Sequence, residues 1–325
     1  MKLNREHVLT LTCLKEVGVK GVGPRKIFAI GSVVENGHAD VTSYESLYEV
    51  MSGIKDKAIT QVTLEDLAEA NKVARRIIDA SEQAGIGLVC YYDDEFPDVL
   101  RKTVNEDGKL DPPLLLWYRG DLSIAQFPGI AVIGTREATK TGLAGGEFLA
   151  GEFAKRGFNI VSGLAIGCDT SGHNGALNAG GKTTAILANG LDTKSIYPEE
   201  NQDLAERIVE SGGLLLSECY IGTSVNRYSL VARDRLQAGL SLATLVVQTG
   251  VTGGTMHAVN ATLQADKPLY TMWYKDSSTN QHDKCKGNAM LVREKGAKYI
   301  KGDDNLDDIC SEIKTWEPQK TNLFE

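Results

Sequence analysis

The sequence predicts an α/β protein, with a doubly wound, mainly parallel sheet preceded by a small helical domain. Three observations carry this reading. From Gly129 onward, aliphatic runs alternate with helix-period segments: strands at 129–134, 158–163, 183–188, 213–217, 243–248 and 268–273, helices at 140–156, 169–179, 201–211, 233–239 and 254–265. That alternation belongs to a sheet covered on both faces. Within it, G-I-A-V-I-G-T-R at 129–136 and F-N-I-V-S-G-L-A-I-G-C-D at 158–169 flank Leu143, Phe148, Leu149 and Phe153 at helical spacing, a β-α-β unit whose strands must be parallel. Residues 1–85, by contrast, read as helices throughout.

Length and composition bound the class. The 325 residues suit one large or two modest domains, and 42% hydrophobic with 24% charged residues describe a soluble globular chain. No apolar run approaches the ~20 residues of a membrane span, and Met1–His7 lacks the apolar core of a signal peptide, so a cytoplasmic location is expected. Six scattered cysteines without a C-x-x-C read as reduced thiols, and five dispersed histidines show no metal cluster; no cofactor is expected. The net charge of −8 argues mildly against a nucleic-acid binder, but it is uneven: −4 falls after residue 300, whereas residues 1–40 carry +2.

Taken in order, Leu14–Ile27 is an apolar helix closed at Gly18, a Gly21-x-Gly23 turn, and Pro24 opening the next helix. The turn resembles a helix-hairpin-helix element, in which backbone N–H groups meet a phosphate. Gly21, Gly23, Arg25 and Lys26 are therefore a secondary candidate DNA contact, against the plain alternative of a glycine turn between packed helices. Segments 44–52 and 63–84 continue as amphipathic helices, the second with Leu64, Leu67, Ala68, Val73 and Ile77 on its apolar face. Strands follow at 86–91 and 114–118. The expected division is 1–85 helical, 86–300 α/β, and 301–325 an acidic helix and disordered tail without a winged helix.

The candidate site lies where strands end, because ligands of open parallel sheets bind beyond the carboxyl ends. Gly134, Thr135 and Arg136 offer close backbone approach, a hydroxyl and a guanidinium fork. Ser162 and Gly163 end the second strand, and Asp169 is expected to cap the helix that follows. Arg233 and Arg235 are placed at a helix start on different faces, so one can reach phosphate while the other packs or pairs. Gly253, Gly254 and Thr255 close the G-V-T-G-G-T loop at 250–255, a second set of N–H groups for an anion. There is no G-x-G-x-x-G and no P-loop, which argues against a nicotinamide cofactor and against ATP hydrolysis by a P-loop. His173 and Cys168 are read as structural, and no catalytic triad is visible.

Gly-Thr-Arg at 134–136, S-G-L-A-I-G-C-D at 162–169, His173, G-A-L-N-A-G-G at 175–181, G-L-D at 190–192, Tyr197-Pro198-E-E-N and R-D-R…A-G-L-S together resemble the DNA-processing DprA/Smf family. Y-D-D-E-F-P-D-V-L-R at 92–101 and P-P-L-L-L-W-Y-R-G-D at 112–121 resemble its lead-in, so the likeness covers about 86–300. The resemblance implies an extended Rossmann-like fold, a homodimer, binding of single-stranded DNA and no enzymatic activity. It also implies loading of a RecA-type recombinase in natural transformation or recombination, and a phosphate pocket lined by Arg136, Arg233 and Arg235 and backed by Ser162-Gly163. The family's F-P-x-R-N-R reads Leu230-Val231-Ala232-Arg233-Asp234-Arg235 here, so a carboxylate stands between the arginines. Two alternatives remain in the same superfamily. One is a nucleotide sensor. The other is a phosphoribohydrolase-like enzyme, since T-G-G-T at 252–255 resembles that loop, although Ala258 stands where its glutamate is expected.

Overall fold

The computed structural model describes residues 2–37 and 41–316 and divides them into two compact units. The first runs to Phe96, past residue 85, and includes Pro113–Trp117; the second holds Pro97–Pro112 and everything from Tyr118. The expected disordered tail at 317–325 lies outside the described residues.

The first unit contains α1 (Arg5–Cys13), α2 (Pro24–Glu35), α3 (Tyr44–Ser52), α4 (Lys57–Thr60) and α5 (Leu64–Gln83). Its further elements are β1 (Gly87–Cys90) and the first half of β2 (Leu115–Gly120). Its helix starts follow local chemistry. Pro24 stands in the first turn of α2 behind Gly23, and Thr63 and Asp66 form a reciprocal capping box on α5. The buried stripe of α5 is Leu67, Ala70, Asn71 and Ala74, while Leu64 is exposed. Asn71 sits in that stripe because Glu6 and Thr10 accept its amide, an arrangement a hydrophobic pattern does not reveal.

The second unit follows the predicted alternation. In chain order come β3 (Gly129–Ile133), α6 (Lys140–Lys155), β4 (Asn159–Ser162), α7 (Cys168–Asn178), β5 (Thr183–Leu187), α8 (Gln202–Glu210) and β6 (Leu214–Ser217). Then follow α9 (Arg227–Leu240), β7 (Ala243–Val246), α10 (Thr255–Gln264), β8 (Leu269–Met272), α11 (Ser277–Gln281), α12 (Lys286–Lys295), β9 (Lys298–Ile300) and α13 (Leu306–Thr315). The strands lie in the order β6-β5-β4-β3-β7-β8-β9, with every pair parallel. The order reverses at β3, which pairs with β4 on one side and β7 on the other. That reversal is the topological switch point at which such sheets open a crevice.

Two details differ from the sequence reading. Helix α9 begins at Arg227, not at 233, because Asn226 and Ser229 form a capping box. Arg233 and Arg235 are therefore mid-helix residues. Asp169 does not cap α7; Gly167 takes that position, and the Asp169 carboxylate instead accepts the N–H groups of Gly163 (3.1 Å) and Ala165 (3.3 Å).

Core packing on one face of the sheet depends on glycines where α6 meets α7. A Cβ on Gly175 would stand 2.2 Å from the Glu147 carbonyl oxygen, so the two helices touch nearly backbone to backbone. Phe153 and Phe158 close the core beneath them with rings edge to face at 6.0 Å. Phe148, expected on the buried face of α6, is 62% exposed, since it lies one residue from the buried Leu149 and so a quarter turn round the helix. Gly175→Ala is expected to force α6 and α7 apart and to cost about 1–3 kcal/mol, as overpacking does. Urea unfolding of the variant checks this, and an unchanged midpoint would contradict the close approach.

Candidate nucleic-acid interface

An open cleft of about 910 Å³ lies at the carboxyl ends of β3 and β7. Its walls are the turn after β3, the first half of α9 and the Thr249–Thr255 loop leading into α10. The β3 turn is pinned rather than loose. The Thr135 N–H donates to the Gln248 carbonyl (2.8 Å), the Thr135 carbonyl accepts the Cys168 N–H (3.2 Å), and the Thr135 hydroxyl accepts the Glu137 N–H (3.2 Å). Gly134 is required by this packing, since a Cβ there would stand 2.5 Å from Cys168 Sγ and 2.6 Å from the Gln248 carbonyl oxygen. Arg136 projects from the turn, exposed, with no ion-pair partner among the described residues. Across the cleft, Gly253 (φ 136) allows the backbone to turn into α10, which starts at Thr255; the Met256 and His257 N–H groups donate to the Gly253 (3.2 Å) and Gly254 (3.1 Å) carbonyls.

The floor of the cleft is a buried charge cluster. Arg233, 7% exposed, lies against Gly163 so closely that a Cβ there would be 1.5 Å from Nη1. With its amide oxygen turned toward them, Gln237 accepts from Arg233 Nη1 (2.6 Å) and from the Gly163 N–H (2.8 Å). The Asp234 carboxylate is 3.5 Å from Arg233 Nε. Burial raises the Asp169 carboxyl above its ordinary value, opposed by Arg233 and by the N–H groups it accepts. Burial also pushes the Asp234 carboxyl up to about 6; Arg233 opposes the rise and Asp169 adds to it.

The site residues expected from sequence divide into three groups. Gly134, Thr135, Arg136, Arg233, Gly253, Gly254 and Thr255 all line the one cleft. Ser162 and Gly163 lie behind it: the Ser162 hydroxyl donates to the Val132 carbonyl (2.6 Å), and Gly163 is the surface on which Arg233 rests. Arg235 is not in the cleft. Its fork meets Glu218 at 2.7 and 2.9 Å, its Nε meets Asp111 at 2.7 Å, and Nη1 also donates to the Ala232 carbonyl at 2.6 Å. Four of its five N–H groups are thus engaged and the residue is 9% exposed, which leaves it scarcely available to a ligand. Gly21, Gly23, Arg25 and Lys26 belong to the other unit, where Lys26 is paired with Asp56 (2.6 Å), the N-cap of α4, and Arg25 is exposed and forms no ion pair among the described residues.

The residues read as structural behave so. His173 is fully buried, shares a hydrogen with the Thr183 hydroxyl (2.7 Å), and is held by burial down to about 3, so it stays neutral. Burial pushes the Cys168 thiol up to about 12, and all six cysteines are free. Among the described residues no group of His, Cys, Asp or Glu could hold a metal ion, and no helix is long and apolar enough to cross a membrane. Sequence reasoning missed Arg227, Gln237, His257 and Lys284, which also line the cleft. Arg227 was findable, because the Asn226-x-x-Ser229 box marks the helix start beside it. Lys284, ion-paired with Glu137, carries no sequence signal.

A family model described as DNA recombination-mediator protein A matches residues 87–314. The chain belongs to that family. The Protein Smf of Synechocystis sp. is 36% identical over 165 residues, which cover 50% of this chain and 41% of the relative. The chain spans about half the length of the curated relatives it matches, with 58% and 56% of two others. The structure of DNA processing protein A (DprA) from Streptococcus pneumoniae superposes with a TM-score of 0.70 at 25% identity, covering 96% of this chain and 99% of that one. That of DNA processing protein A from Helicobacter pylori, determined for its single-stranded DNA binding mode, gives 0.57 at 27% identity and covers 71% and 97%. This family member thus shares the DprA fold, with the Rossmann-like sheet in its second unit.

Asp234 supplies a stability test of the cluster. Its folded value, about 6, lies above the ordinary 3.8, so the folded state holds the proton more tightly. Its contribution to stability is therefore greatest at low pH and is lost as pH rises from about 4 to about 6. Asp234→Asn is expected to stabilise the protein at about pH 7.5 by up to ~3 kcal/mol, and to make no difference near pH 4. Denaturant midpoints at the two pH values check this; equal destabilisation at both would show that Asp234 holds Arg233 in place.

Proposed function

We propose that this protein binds single-stranded DNA along the cleft at the β3/β7 switch point, reading the sugar-phosphate backbone rather than the bases. The observation that carries the reading is Arg136, an unpaired guanidinium at the rim, facing a glycine loop and helix N-terminus across the cleft. Arg227, also exposed and without an ion-pair partner among the described residues, extends the rim. In this reading Arg233 serves as buried positive charge beneath the phosphate, and Arg235 is a scaffold residue. The single-stranded DNA binding mode for which the Helicobacter pylori relative was studied supports the choice of ligand. A binding role without catalysis, homodimer formation and loading of a RecA-type recombinase belong to the same reading and rest on the family resemblance alone.

Competition between single-stranded and duplex DNA tests the ligand, and equal affinity would contradict the reading. Arg136→Ala is expected to weaken single-strand binding and to lower the salt dependence by about one phosphate contact. Binding identical to that of the unsubstituted protein would remove Arg136 from the site.

A phosphate beside Asp234 raises its pKa further, so binding takes up a proton. Affinity is therefore expected to rise as pH falls through about 6, and Asp234→Asn is expected to abolish that dependence and bind more tightly at neutral pH. Titrations at three pH values check both. A phosphoribohydrolase assay with nucleoside monophosphates is expected to show no turnover.

A further inference from the structure

A second pocket of about 420 Å³ lies at the end of β8 and β9, formed by Trp273, Lys275, Tyr299, Lys301, Gly302 and Asp303. Both strand ends carry the same short pattern, aromatic-x-Lys: Trp273-x-Lys275 and Tyr299-x-Lys301. The strands pair in parallel with Met272 opposite Ile300, and the Trp273 N–H donates to the Ile300 carbonyl (3.0 Å). Side chains alternate along a strand, so Trp273 and Tyr299 share one face at the strand ends while Met272 and Ile300 enter the core on the other. The two rings meet edge to face at 5.0 Å, and Trp273 remains 43% exposed. Lys275 and Lys301 are exposed and form no ion pair among the described residues.

We propose that this aromatic pair is a base-stacking platform for single-stranded DNA leaving the main cleft, with Lys275 and Lys301 holding the adjoining phosphates. The proposal rests on the function proposed above and extends its site along the sheet edge. The platform lies on the same carboxyl edge as the cleft, because β3, β7, β8 and β9 are neighbouring parallel strands. Two strand spacings separate β7 from β9, about 10 Å, a gap that a few nucleotides cross. Single-strand binding sites that lack sequence preference combine these ingredients, an aromatic face for the base and cations for the backbone. Asp303 faces the same pocket and repels phosphate, which leaves the base rather than the backbone to lie on the rings.

The test compares a short oligothymidylate, which fills only the cleft, with one several-fold longer. Trp273→Ala is expected to weaken the long oligonucleotide about tenfold and leave the short one unchanged, whereas Trp273→Phe keeps most of the affinity. Trp273 fluorescence, taken as the difference between the unsubstituted and Trp273→Phe proteins, is expected to be quenched by the long oligonucleotide alone. Unchanged long-oligonucleotide affinity in Trp273→Ala, with Arg136→Ala still weakening both lengths, would overturn the platform and spare the cleft. If the unsubstituted protein binds neither length, the cleft reading and the platform fall together.

Discussion

The contact of Arg233 with Gly163 fixes the geometry of the whole site. A buried guanidinium must be paired or it unfolds the region around it, because removing its partners leaves an unsolvated charge. Here three residues from two elements surround it: Gln237, one turn along α9, Asp234 beside it on the same helix, and Asp169 from α7. The same Gly163 N–H that Gln237 accepts also reaches Asp169, so the turn after β4, the start of α7 and the middle of α9 are tied at one point. No side chain larger than hydrogen fits at 163. The glycine after β4 is thus explained by the arginine that lies on it and not by direct contact with a ligand.

This arrangement also explains which charges are available. Arg233, Asp169 and Asp234 compensate one another in the cleft floor, and Lys284 is held by Glu137. Among the described residues, Arg136 and Arg227 at the rim form no ion pair and are exposed. Arg235 differs from Arg233 only in direction. Two residues along a helix is about 200° of rotation, so when one arginine enters the cleft the other must leave it. It goes to Glu218 and Asp111, which dock the loop before β2 and the segment after β6 onto α9.

The strands were legible in the sequence because each is a short aliphatic run bounded by a glycine or polar turn, and the predicted edges of β3 to β8 lie within two residues of the observed ones. The rim was legible for the same reason: Gly134 to Arg136 and the 250–255 loop follow directly from strand ends. The start of α9 was not, since Val225–Ser229 is polar and its helical signal is a reciprocal cap rather than a hydrophobic stripe. The fate of Arg235 was not legible either. Its partners lie 17 and 124 residues away, and nothing local distinguishes it from Arg233. The motif that places both arginines in a phosphate pocket describes residue types, whereas the separation of their roles is a tertiary fact.

The acidic balance of the chain constrains how a polyanion could be held. With a net charge of −8, the long-range field repels DNA, and at physiological salt that field decays over about 8 Å. Steering by the whole molecule therefore gives no advantage, in contrast to strongly basic binders. Affinity has to come from groups within hydrogen-bonding reach: oriented N–H donors at a glycine loop and a few guanidinium groups without an ion-pair partner. The cleft contains each of these. The buried carboxyl of Asp234 then becomes the largest local opponent of an anion, because it shares the unscreened environment of Arg233. Under the proposed function, a site built this way would discriminate by close fit to a flexible backbone rather than by attraction at a distance.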